Sequence, residues 1–170
     1  MPRDRTNVFL WLDGVVGESV DEKHLGWIEL HTFTWSVTNN ATWQSGGQGS
    51  KGKGGQATVQ GNVADIVVKK RIDSASVTLF QICMMASQID SGIISCVKLD
   101  SETPVEYFRI ELKKIVVKGV DWKSFGSDEV TEEVTLNFGR FIELYTLQEN
   151  LGSRGGGTRF GFDRETSTPI

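Results

Sequence analysis

Apolar residues recur at every second position over most of the chain. In TPVEYFRIELKKIVVK (103–118), Phe108, Ile110, Leu112 and Val116 share one face, while Tyr107, Arg109, Glu111 and Lys113 share the other. That alternation predicts a half-buried antiparallel strand, because successive side chains on a pleated backbone point to opposite faces. EEVTLNFGRFIELY (132–145) repeats it, with Val134, Leu136, Phe138, Ile142 and Leu144 inward and Thr135, Asn137, Glu143 and Tyr145 outward. In WIELHTFTWSV (27–37) the phase changes: Ile28 and Leu30 have one parity, Phe33, Trp35 and Val37 the other. Such a slip predicts a bulge or sharp bend, of the kind that wraps a strand around a barrel. Further strands are predicted at Asn7–Leu12, Thr58–Lys70 and Ile93–Leu99.

One segment departs from period two. DSASVTLFQICMMASQI (73–89) sets Leu79, Ile82, Cys83 and Ala86 at helical spacing, with Asp73, Ser74 and Ser76 as candidate N-caps. Met84 and Met85 read as part of the packing surface of that helix. The fold class is therefore mainly β, a β-barrel or two-sheet sandwich of antiparallel strands with one flanking α-helix.

The 170 residues suit a single domain, 1–170, with a short flexible N-terminus over 1–6. Glycine marks two loops. SGGQGSKGKGGQ carries Gly46, Gly47, Gly49, Gly52, Gly54 and Gly55 between Ser45, Gln48, Ser50, Lys51, Lys53 and Gln56. A second glycine-rich loop is drawn over 151–159 in LGSRGGGTRFG, with Arg154 and Arg159. Loops of such length are either functional or disordered.

Composition mainly excludes. Hydrophobic residues at 38% and charged residues at 24% are globular usage, and a formal charge of −4 exerts no general pull on nucleic acid or anionic membranes. No apolar run reaches bilayer-spanning length, and Val8–Leu12 is too short for a signal-peptide core, which predicts cytoplasmic synthesis. Cys83 and Cys96 form no CxxC pair and read as small buried thiols.

Candidate chemistry is sparse. GQGSKGKG (47–54) nearly fits the phosphate-cradling pattern, but Gly54 stands where a hydroxyl is needed and a β-patterned segment follows instead of a helix. GESVDEKH gathers Glu18, Asp21, Glu22 and His24, yet the spacing matches no ligand template, and His31 lies in the next strand. Solvated loop charges are the reading it favours, with a metal-binding module or hydrolase as a remote alternative. Glu132 and Glu133 read as a strand entry rather than an acid/base dyad. No G-x-S-x-G elbow is present, and neither cysteine has a histidine near it in sequence. The five tryptophans (11, 27, 35, 43, 122) read as core or interface. An enzyme is not expected, nor is any cofactor or metal.

The order of segments VFLWLDGVVGES, WIELHTFTWSV, the glycine loop, VVKKRIDSASVTLFQICMMASQI, EYFRIELKKIVVKGV and TEEVTLNFGRFIELY resembles the hemolysin-coregulated protein (Hcp) family, the tube proteins of bacterial type VI secretion systems. DGVVGES, KKRIDSAS and TEEVTLNFGR are the most specific pieces. The resemblance implies a barrel with a flanking helix, an architecture shared with phage tail-tube proteins, so a phage-like contractile tail tube protein is the alternative. It further implies hexameric rings stacked into a tube, a contractile sheath, a spike protein and effector proteins as partners, and release without a cleaved signal peptide. The loop Ser45–Gln56 corresponds to the family's ring-to-ring loop, which makes Lys51 and Lys53 candidate contacts. Thr32, Thr34 and Ser36 fall on the strand that the family presents to the lumen. The family's C-terminal aromatic pair often ends in tryptophan; here it is Phe160 and Phe162 around Gly161, and the tail DRETSTPI has no counterpart.

Overall fold

A computed structural model describes residues 7–41, 61–98, 104–148 and 154–170. The loop Ser45–Gln56 and the segment 1–6 lie outside the described residues. The chain runs β1 (Val8–Leu12), β2 (Ile28–Glu29), β3 (Thr32–Thr34), β4 (Val37–Thr38), β5 (Asn62–Val63), β6 (Ile66–Arg71), α1 (Ser74–Met84), β7 (Gln88–Lys98), β8 (Val105–Lys123), β9 (Thr131–Gln148), β10 (Arg154–Asp163) and β11 (Thr168–Pro169). All the pairings are antiparallel.

The pairings β1–β2, β3–β6, β6–β9, β9–β8, β8–β7 and β7–β1 close into a circuit once the chain joins β2 to β3. At that joint the Leu30 N–H donates to Val8 O at 3.0 Å, and the His31 N–H donates to Lys69 O at 2.8 Å. Consecutive residues thus bond to opposite neighbours, which is why the apolar parity slips here. Ile28 and Leu30 are buried on one side of the bend, and Phe33 and Trp35 pack against the core beyond it. The predicted bend is real. What reads as one strand is three short ones, with β4 and β5 forming a separate ribbon.

A second parity change escapes the sequence. Along β8 the buried positions go from Ile110 and Leu112 to Ile115 and Val117, and along β9 from Val134, Leu136 and Phe138 to Phe141. Both strands change face at Lys114, where φ is +54°, opposite Gly139. A Cβ on Gly139 would stand 3.2 Å from Lys114 Cβ, so the glycine leaves room for the lysine stem at this corner. The expectation that Val116 is inward is corrected: it is exposed, and Ile115 takes the core place. Likewise Phe141 is buried where Ile142 and Leu144 were expected, and those two are half-buried.

The helix is shorter than the period implies. It stops at Met84, Met85 caps it, Ala86 adopts φ +50°, and Gln88 already starts β7, so Ile89 is a core strand residue. Ala75, Ser76 and Leu79 face the barrel. Met84 and Met85 do not: at 79% and 69% exposure they lie on the outer side with Val77 and Phe80, contrary to the packing role expected of them. The glycine-rich 151–159 stretch is also corrected. From Arg154 onward it is strand β10, paired with β9 through Gly157↔Thr146 and Phe160↔Glu143. Glycine is tolerated because neighbours crowd it: a Cβ on Gly161 would lie 2.8 Å from Ile170 Cγ1. The unmatched tail folds back as β11 onto Phe162 and Asp163.

Candidate functional site

Thr32 and Thr34 pair with Lys69 and Val67 of β6, and Ser36 follows just beyond β3. All three hydroxyl side chains are exposed, whereas Phe33 and Trp35 between them are half-buried. Trp35 fixes that orientation. Its ring sits edge-on to Phe141 at 5.0 Å and Phe138 at 5.9 Å, and its Nε1–H donates to Ala64 O at 3.1 Å. With the indole locked inward, the pleat turns Thr34 and Ser36 outward. The strand then enters the β4–β5 ribbon, Val37↔Val63 and Thr38↔Asn62, which carries both ends of the glycine-loop segment. An apolar groove of about 390 Å³ opens beside the ribbon, walled by Trp35, Val37, Val63, Phe141, Phe160 and Phe162.

The charged groups of GESVDEKH separate. The Glu18 carboxylate accepts from the Ser74 N–H at 3.0 Å at the start of α1, and Glu22 is exposed. Asp21 and His24 do meet. Asp21 Oδ1 accepts from His24 Nδ1 at 2.6 Å and from the backbone N–H groups of Lys23 and His24, each at 3.1 Å. Burial raises the Asp21 pKa, but the ring hydrogen bond, the backbone donors and the nearby His24 outweigh it, holding the carboxyl below 3.8. Among the described residues no group of three or more His, Cys, Asp or Glu converges as a metal site, and His31 lies apart on the surface.

On its other nitrogen, His24 Nε2 lies 2.9 Å from Ser95 Oγ on β7. Asp21, His24 and Ser95 therefore stand in the order of a nucleophile relay. Two facts remove that chemistry. Ser95 is 0% exposed, and its hydroxyl donates to Glu106 Oε2 on β8, so its oxygen neither meets substrate nor yields its proton to the imidazole. The imidazole stacks on Phe9 at 4.3 Å and lies edge-on to Trp27 at 4.9 Å. No sequence spacing flags Ser95 or Glu106, since both sit more than 70 residues from the loop.

KKRIDSAS folds into a second polar cluster. Asp73 is the N-cap of α1, accepting from the Ala75 N–H at 3.0 Å, and Ser76 Oγ accepts from the Asp73 N–H in return. Lys70, 0% exposed, projects beneath this cap and meets Asp73 Oδ1 at 2.6 Å, Glu132 Oε2 at 2.7 Å and Ser76 Oγ at 3.0 Å. Glu132, expected as a plain strand entry, is in fact the buried counter-ion of this lysine. Its Oε1 is buried without a hydrogen-bond partner. Cys96 is buried, and burial pushes its thiol up to about 11, with the Glu106 charge adding to the shift; Cys83 is half-buried. Cys96 is therefore not an activated thiolate site.

A family profile described as "Type VI secretion system effector, Hcp" matches residues 9–145. The chain belongs to the Hcp family. Protein hcp1 of Pseudomonas aeruginosa is 30% identical to it over 159 residues, 92% of this chain and 94% of the relative. A solved structure named as that of a type six secretion system protein superposes with a TM-score of 0.84 at 24% identity, covering 98% of this chain and 100% of the other. Hcp1 from Salmonella typhimurium superposes with a TM-score of 0.76 at 26% identity, covering 96% and 97%. The antiparallel β fold with one helix is therefore the Hcp fold. The family is one of secretion-system proteins and not an enzyme family. No helix among the described residues is long and apolar enough to cross a membrane.

Proposed function

We propose that this Hcp-family chain is a structural subunit of the type VI secretion inner tube. It assembles into hexameric rings that stack into a tube, carries effectors and is itself secreted. The observation that carries this reading is the strand of exposed hydroxyls, Thr32, Thr34 and Ser36, held outward by the anchored Trp35. A row of small uncharged groups makes a lumen wall that neither grips nor repels cargo of a given charge. The ribbon β4–β5 continues from that wall into Ser45–Gln56, which supports a ring-stacking role for this loop. The contractile sheath, the spike protein and effector proteins are the partners of such a tube.

Negative-stain microscopy and light scattering on the purified chain test the assembly. Six-fold rings in top view are expected; a monomer at every concentration would rule the reading out. Deleting Ser45–Gln56 should leave rings intact and prevent their stacking. Normal tubes from the deletion variant would remove the loop from the mechanism.

A further inference from the structure

Hydrogen-bond bookkeeping around His24 leaves one proton over. Asp21, His24, Ser95 and Glu106 form a continuous chain with three links: Nδ1 to Asp21, Nε2 to Ser95, and Ser95 to Glu106. Each link needs one proton. Asp21 Oδ1 already accepts two backbone N–H groups and is an acceptor only, so Nδ1 carries a proton. The Ser95 hydroxyl supplies a second. With Asp21 and Glu106 both ionised and His24 neutral, the chain has two protons for three links, and two acceptors would face each other. The third proton lies either on Nε2, making an imidazolium, or on Glu106.

We infer that His24 and its chain form a protonation-dependent latch holding the Gly17–Trp27 segment on the barrel. The segment is a narrow ribbon closed by Gly17 N–H to Gly26 O, Gly26 N–H to Ser19 O and Ser19 N–H to Trp27 O, at 2.8, 2.8 and 3.0 Å. Besides those bonds, His24 ties it to β7 and β8 through Ser95 and Glu106. The groups facing the imidazole are Phe9 from β1, Ser95 from β7, Glu106 and Arg109 from β8, and Asp21 and Trp27 from its own segment. Glu22 and Lys23 line the groove of about 460 Å³ beside it, which gives the proton a route to solvent. Glu106 accepts from the Ser95 hydroxyl at Oε2 and faces Arg109 Nη1 with both oxygens, at 3.3 and 3.4 Å, so it is an acceptor throughout and the extra proton is placed on Nε2.

The sign follows from the count. A proton held by the closed state and released on opening makes closure favourable at low pH and lost as pH rises. Val20 and Leu25 are exposed on this segment, so its release changes how the chain presents two apolar side chains.

Amide hydrogen exchange of Gly17, Ser19, Gly26 and Trp27, corrected for intrinsic exchange, measures the opening constant on the full chain. For one linked proton it should rise by up to about tenfold per pH unit over the range in which the closed state still holds a proton that the open state has lost, and level off above that range. Imidazole ¹⁵N shifts of His24 should show both nitrogens protonated where the segment is protected. The Glu106→Gln variant is the decisive control. Its amide donates to Ser95, which then gives its proton to a neutral Nε2, so three links need no extra proton and the pH step should vanish with the segment closed. A flat opening constant from about pH 5 to about pH 9 with a neutral single-tautomer His24 would overturn the latch, as would a wild-type pH step persisting in Glu106→Gln.

Discussion

Two polar clusters sit against the same barrel and differ in one respect, access to water. The Lys70 cluster is sealed, with lysine and Glu132 side chains fully buried beneath the start of α1. The His24 chain reaches from a buried serine out to a groove bordered by Lys23, Glu106 and Arg109. In the sealed cluster Lys70 and Glu132 have only each other and the helix cap as partners, and a lone ion there has no solvent to turn to. The open-ended chain exchanges its proton with solvent. The first is a structural pin for the helix; the second can respond to conditions.

The largest expected effect comes from breaking the pin on one side. Lys70→Ala leaves the buried Glu132 carboxylate without its counter-ion and should cost roughly 3–5 kcal/mol, read by urea unfolding, while Glu132→Ala should cost less because Asp73 still pairs with Lys70. Replacing both partners with apolar residues of similar volume, Lys70→Met with Glu132→Leu, should recover most of that loss. If the double variant is as unstable as the singles, the pin is more than a charge pair. Next in size is Gly17→Ala. Its Cβ would come within 2.4 Å of Trp27 O, so backbone must shift, with a cost of about 1–3 kcal/mol and loosened amides over Gly17–Trp27 alone. Equal loosening around α1 would mean that the two clusters are coupled.

A pH experiment sharpens the comparison further. Asp21 has its folded-state pKa held below the ordinary 3.8 despite burial that raises it, because the His24 ring and backbone donors bond the carboxylate. Its contribution is therefore present above that value and lost as pH falls through the lowered one. Protection of Gly17–Trp27 should thus drop on the acid side, and Asp21→Asn should remove that drop. The smallest effect is expected at the exposed Lys114–Glu165 pair. Lys114→Ala should change stability by about 0–1 kcal/mol through the ion pair, with any larger loss tracing to the corner it occupies opposite Gly139.

Much of the barrel was readable without coordinates, for a local reason. The pleat makes parity a property of neighbours in sequence, so the β8 and β9 strands, the bend after Leu30 and the Asp73 cap all left their mark on adjacent residues. The corner at Lys114 did not, because KKIVV offers apolar residues of both parities and only cross-strand packing selects Ile115 over Val116. The glycines of β10 resembled a loop because their strand state depends on β9 alongside, not on their own propensity. The hydroxyl row Thr32, Thr34, Ser36 was legible from alternation. GESVDEKH reads as solvated from its own residues, yet His24 turns inward onto Ser95.

By itself, then, the sequence determined the strand periods, the single capped helix and the ordered segments that mark the Hcp family. The tertiary structure alone decided where buried polar groups meet: His24 with Ser95, 71 positions away, and Ser76 with Glu132, 56 positions away. The reason is physical. Periodicity is set by backbone geometry within a few residues, whereas a buried hydrogen bond exists only after antiparallel pairing has brought distant strands side by side and excluded water between them.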